Sequence, residues 1–233
     1  MARVLVIGDL HLPQVRPGYL AFCRDLYREN RCDSVVFMGD ICDLHAISFH
    51  DHHPDADGPS QEILKAKASV RTWNRAFPKA TVCIGNHDRL LIRKAAVGSI
   101  PELILKSFAE IWDTPEWKWV NSATIDGVLY VHGDGCGGGL APAYNTMRKT
   151  AQSVVMGHHH TAGGLKFLCN SERRLFGMDC GCGIAQDKIQ FLYAERNPCK
   201  PIIAAGVVLD GMPQLHLMPC GKNERYHDSK FRK

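Results

Sequence analysis

The chain has 233 residues, 45% hydrophobic and 22% charged, which suits one large α/β core and excludes a disordered or membrane-embedded class. Its net charge of +4 falls far short of the dense Lys/Arg surface of a duplex binder, yet it permits a phosphate-bearing substrate. Ten cysteines without a CxxC pair read as small core residues or reduced thiols, and Cys180-Gly181-Cys182 lacks further zinc ligands at regular spacing.

In chain order, Val4-Leu5-Val6-Ile7 is an apolar run stopped by Gly8-Asp9-Leu10-His11, the pattern of a buried strand that turns sharply at its carboxyl end. Residues 18–30 carry Tyr19, Leu20, Phe22, Cys23, Leu26 and Tyr27 at helical spacing, and a strand over 34–38 follows, ending in Gly39-Asp40. Such strand-helix-strand units build parallel or mixed sheets. Residues 44–60, rich in His, Asp and Pro, read as a loop that shapes a substrate site. A helix is predicted over 60–77 with Ser60 as N-cap, then a strand over 81–84 that delivers Gly85-Asn86-His87-Asp88, then helices over 89–97 and 101–111.

The second half is richer in strands. Runs over 117–120, 122–125 and 128–132 enclose the hairpin signal Asp126-Gly127. The glycine-rich stretch 133–139 fits neither a Walker nor a dinucleotide fingerprint, so it reads as a flexible wall, with a phosphate cradle as the alternative. A helix over 143–151 and a strand over 153–156 lead to Gly157-His158-His159-His160. Strands over 164–170, 174–179, 188–193, 202–209 and 213–218 complete an expected single domain over 1–221, with a polar tail over 222–233. No apolar run approaches the ~20 residues of a spanning helix, and Met1-Ala2-Arg3 leads straight into a strand, so a cytoplasmic protein without a membrane partner is expected.

Open α/β sheets bind ligands at the carboxyl ends of their strands, and these ends collect Asp9, His11, Asp40, Asn86, His132, His158 and His160. All are oxygen or imidazole donors, a set suited to manganese, iron, zinc, cobalt or nickel. Seven donors exceed one tetrahedral ion, whereas two ions sharing a carboxylate clamp both oxygens of a phosphoryl displacement. Burying these groups without a cation would leave charge uncompensated. By strand alternation His159 faces away. The loop histidines His45, His50, His52 and His53 read as solvated, the sharper alternative being that His50 or His52 reaches substrate. Arg89, Arg93 and Lys94 read either as phosphate contacts or as an exposed helical face.

The ordered series Asp9-x-His11, Gly39-Asp40-x-x-Asp43, Gly85-Asn86-His87-Asp88, Val131-His132 and Gly157-His158-x-His160 resembles the calcineurin-like metallophosphoesterases, in its small stand-alone bacterial and phage type. The resemblance implies a four-layer αββα sandwich of two mixed sheets flanked by helices. It implies one metal on Asp9, His11 and His160, another on Asn86, His132 and His158, and Asp40 bridging, with a hydroxide between the ions attacking phosphorus. His87 would serve the leaving oxygen, and Asp43 would orient His87. Manganese is the expected ion, with nickel, zinc, iron or cobalt as alternatives. Leu44 stands where protein phosphatases of the family carry a phosphate-gripping arginine, so a phosphodiester substrate is expected, a nucleotide, cyclic nucleotide or nucleic acid, with substrate contacts at His50, His52 and Arg89. The alternatives are a phosphomonoesterase and, in another class, a non-catalytic scaffold on the same fold.

Overall fold

A computed structural model describes residues 1–50, 52–185 and 198–219. The strand expected over 188–193 and the tail over 222–233 lie outside these residues. The elements run β1 (Arg3–Ile7), α1 (Tyr19–Glu29), β2 (Ser34–Phe37), α2 (Pro59–Ala76), β3 (Ala80–Cys83), α3 (Leu90–Val97), α4 (Phe108–Trp112), β4 (Trp117–Val120), β5 (Ser122–Ile125), β6 (Val128–Val131), α5 (Pro142–Thr150), β7 (Ser153–Met156), β8 (Gly163–Cys169), β9 (Arg174–Cys180), β10 (Ala204–Leu209) and β11 (Met212–Leu217).

They form two mixed sheets, a six-stranded one in the order β11-β10-β1-β2-β3-β4 and a five-stranded one in the order β5-β6-β7-β9-β8. Strands β1 to β4 run parallel, as do β6, β7 and β9, so their carboxyl ends share an edge within each sheet. Alternation along β1 explains its unbroken apolar run. Leu5 and Ile7 pack with Tyr19, Leu26, Val70 and Trp73 of α1 and α2, while Val4 and Val6 meet Tyr130, Val155 and Met178 of the second sheet. Ala143 and Met147 of α5 cover Val154 and Met156 on the far side. Helices, sheet, sheet and helix therefore make four layers, the αββα arrangement expected from sequence.

Local chemistry shifts three expectations. Helix α2 starts at Pro59 with Gly58 as N-cap, because proline's fixed φ suits the first helical position and Ser60 already lies inside. The helix expected over 101–111 is broken into a 3-10 turn, Glu102–Ile104, and α4. Ser107 is the cause: its backbone is extended, and its side chain forms a reciprocal capping box with Glu110 that restarts the helix there. The loop over 44–60 contains one 3-10 turn, His45–Ile47. Cys23, Cys32, Cys42, Cys83, Cys180 and Cys182 are buried free thiols, and burial raises the pKa of the close pair Cys180 and Cys182. Among the described residues no helix is long and apolar enough to cross a membrane.

Candidate metal centre

The site forms where the strand ends of both sheets meet. β1 leads to Asp9 and His11, β2 to Asp40, β3 to Asn86 and His87, β6 to His132, and β7 to His158 and His160. The backbone bends hard to aim these groups: His11, Asp40, Leu44 and His158 have φ of 47°, 46°, 53° and 64°. Left-handed non-glycine residues are uncommon and cluster where function demands them. Cross-links hold the bends. The His11 N–H donates to the Asp40 carbonyl at 2.9 Å, and the His158 N–H reaches both Asp9 carboxylate oxygens at 3.1 Å. Gly157 permits this approach, since a Cβ there would overlap Asp9 Oδ1 and lie 3.0 Å from Met38 Cβ. Buried Asp88 ties two strand ends together by accepting from Ile41 N–H at 3.0 Å and Gly85 N–H at 2.9 Å. Burial, then the charge of Asp40, pushes the Asp88 pKa up to about 7.

Two donor groups result. Ligand atoms of Asp9, His11 and His160 lie within 4.8 Å of one another, as do those of Asp40, His132 and His158. Asn86 Oδ1 adjoins the second group, 3.0 Å from His132 Nε2. Asp40 stands between the two, its Oδ2 3.6 Å from His11 Nε2 and 3.3 Å from His132 Nε2. The structure thus brings together all seven candidate ligands; His87 also lies within 4.8 Å of His11 and Asp40 in a third grouping.

The imidazole partners show that this donor set suits a cation. His11 Nδ1 is 2.7 Å from an Asp43 carboxylate oxygen, and His132 Nδ1 is 2.6 Å from the Met38 carbonyl. Both oxygens only accept, so each Nδ1 carries a proton and each ring turns its Nε2 inward. His11 Nε2 meets His160 Nε2 at 3.2 Å, itself 3.0 Å from Asp9 Oδ2, and His132 Nε2 meets the acceptors Asn86 Oδ1 and Asp40 Oδ2. Around His132 acceptor faces acceptor, which repels unless a positive charge, a proton or a metal ion, sits between. The electrostatics agree. Burial lowers the pKa of His132, but Asp40's charge and hydrogen bond outweigh it and raise it to about 10, so the pocket draws in a proton where nothing larger is bound. Burial would raise Asp40 and Asp9, yet the imidazoles around them hold both carboxyls below the ordinary range. Burial, with neighbouring His87, keeps His11 below its ordinary value.

Asp43 serves two histidines: its Oδ1 lies 2.7 Å from His11 Nδ1 and 3.6 Å from His87 Nδ1. Its carbonyl, 2.5 Å from His87 Nδ1, makes the hydrogen bond that orients that ring. Leu44, in the position of the phosphatase arginine, turns away into the core and is buried. Arg89 is engaged by Asp134 at 3.0 Å and by Asn121 Oδ1 at 3.2 Å. His50 and His52 are exposed, and His52 packs edge-on against His45. His45 Nε2 is shielded without a hydrogen-bond partner. His159 packs on His158, with ring centres 4.8 Å apart, and lies against Gly138.

Comparison with known proteins bears on the family. No curated protein matches the sequence. Solved structures that align include a single mutant of Vps29 from Entamoeba histolytica, 13% identical over 92% of this chain and 97% of that one, TM-score 0.40. YfcE, a phosphoesterase from E. coli, is 12% identical over 89% and 88%, TM-score 0.38. Vps29 from Chaetomium thermophilum is 10% identical over 97% and 94%, TM-score 0.48. At such identities and scores they add nothing about chemistry. The family profile described as calcineurin-like phosphoesterase matches residues 2–187, and with most of the sequence so covered the chain belongs to the calcineurin-like phosphoesterase family.

Proposed function

We propose that the protein is a metal-dependent phosphodiesterase with a dinuclear site. The observation behind this reading is Asp40, set between two groups of inward-facing imidazole nitrogens. In this reading Asp9, His11 and His160 hold one divalent ion, Asn86, His132 and His158 the other, and Asp40 is shared. Manganese is the first candidate, with nickel, zinc, iron and cobalt behind it. Such ions supply Lewis-acid stabilisation of the charge that builds on phosphoryl oxygens.

The remaining work falls to the chain's own groups. His87 donates Nδ1–H to the Asp43 carbonyl, which leaves Nε2 for the substrate. Burial lowers its pKa, but the charges of Asp40 and Asp43 prevail and raise it, so a proton is held ready for the leaving oxygen. With a buried leucine at position 44, no arginine stands there to fix a dianionic monoester, which favours a monoanionic diester carried by a nucleotide, cyclic nucleotide or nucleic acid. The cytoplasm is the proposed compartment. The test is turnover of bis-p-nitrophenyl phosphate against p-nitrophenyl phosphate by metal-stripped protein titrated with manganese, nickel, zinc or magnesium. Diester preference with activity saturating at two ions per chain is expected; monoester preference, or no turnover with any ion, overturns the proposal.

A further inference from the structure

Two features beside the metal centre have no part in the chemistry above. On one side the loop after β2 carries Phe49 to the surface, 48% exposed, against α3. Lys94 Nζ lies 4.1 Å from its ring centre and the Arg93 guanidinium carbon 4.8 Å. The loop is anchored, because buried Glu62 of α2 accepts from the N–H groups of His45 and Ala46 at 2.8 Å each. Arg93 and Lys94 are close to the centre, since Leu90 N–H bonds the His87 carbonyl at 3.0 Å and four more residues of helix advance only ~6 Å.

On the other side the glycine loop and α5 border an open pocket of about 410 Å³ lined by Cys136, Gly137, Gly138, Asn145, Arg148 and Lys149. It is one residue from the centre: a Cβ on Gly138 would lie 3.4 Å from His159 Cε1, and His159 is flanked by His158 and His160. The Arg89–Asp134 ion pair joins the two sides, as Asp134 belongs to the glycine loop and Arg89 precedes α3.

A half-exposed aromatic ring beside cations suits a base, whereas a pocket lined by Arg148 and Lys149 suits a phosphate. A cyclic nucleotide or small ester has one phosphate, which the metal centre takes, and nothing for the second pocket. We infer that the substrate is a single strand of nucleic acid, with a base stacked on Phe49 and a neighbouring phosphate against Arg148 and Lys149. This rests on the phosphodiesterase reading.

Two esters with one leaving group test the base contact: thymidine 5′-p-nitrophenyl phosphate and ethyl p-nitrophenyl phosphate. Phe49→Ala, and Phe49→Leu as the variant that keeps apolar bulk, should lower kcat/KM about tenfold on the nucleoside ester and leave the ethyl ester within about twofold. Lys149→Ala should spare both esters but weaken binding of a labelled oligothymidylate to metal-free protein, read by fluorescence anisotropy, and reduce its salt dependence by about one charge. Equal losses on both esters, or oligothymidylate bound alike by wild type, Phe49→Ala and Lys149→Ala, overturn the inference. Wild type that turns over neither ester defeats the phosphodiesterase reading, while the anisotropy still decides whether a strand binds.

Discussion

The two sheets build the metal centre in different ways. From the six-stranded sheet come Asp9, His11 and Asp40, all buried, and half-buried Asn86, with Asp43 and Asp88 buried behind them to fix ring tautomer and backbone. From the five-stranded sheet come His132, also buried, and His158 and His160, which are only half-buried. The second set is held by the first: His132 leans on the Met38 carbonyl, and His158 N–H and His160 Nε2 on Asp9. One sheet is thus a preorganised floor, and the other a jaw positioned from that floor. Damage to the floor should therefore disable the whole centre, and damage to the jaw only part of it.

The sharpest break is Asp40→Ala. It removes the shared carboxylate, and the expected outcome is loss of both ions by elemental analysis with turnover down about 10³-fold or more. His87→Ala should keep both ions and lower kcat by about 10²–10³, the share of a positioned proton donor. Loss of metal in His87→Ala with retention in Asp40→Ala would reverse the assignment of roles. Asp43→Ala separates the two accounts of that residue. Acting through His11, it should weaken metal binding about 10- to 100-fold in a titration; acting through His87, it would cut kcat with the ions in place. Gly157→Ala strikes the joint between floor and jaw. The added methyl crowds Asp9 and Met38, and a destabilisation of about 2–3 kcal/mol is expected in urea unfolding, together with weaker metal binding. Unchanged stability would mean that the jaw is free to move away from the floor.

How much of this was legible depends on the range of the interaction. Strands packed on both faces advertise themselves as apolar runs that stop at or one residue before a glycine, so β1, β2, β3, β7 and the more open β6, and the seven donors at their ends, could be read from sequence. The second partner of Asp43, His11, could not. The left-handed turns at His11 and Asp40 decide which imidazole reaches its carboxylate, and no local pattern encodes that rotation. Asp88 shows the same limit: its contacts are with amides at Ile41 and Gly85, the first far away in sequence. His45 was obscured by a run of histidines and aspartates that reads as solvent-facing. What sets it apart is the long-range hold of Glu62 on its backbone. The break before α4 was legible in principle, since Ser107 and Glu110 have capping-box spacing, but Pro101 gave a louder start signal.

The smallest expected effect lies on the outer side of the jaw. Asp179, near the end of β9, is 5% exposed and accepts the Ala143 N–H at 3.0 Å in the first turn of α5. Burial pushes its pKa up from 3.8 to about 6, against the lowering effects of that hydrogen bond and of Lys166. A carboxyl whose folded pKa is raised contributes its full stability below the unfolded value and loses it as pH climbs through the folded one. Wild type should therefore lose stability between about pH 4 and pH 6 relative to Asp179→Asn, whose amide oxygen can still accept from Ala143. At about pH 8 the variant should be the more stable by about 1–2 kcal/mol, and near pH 4 the gap should close. Urea unfolding at both pH values measures it. A gap that stays constant with pH would show that β9 holds α5 by shape alone, and that the jaw carries no buried charge of its own outside the metal centre.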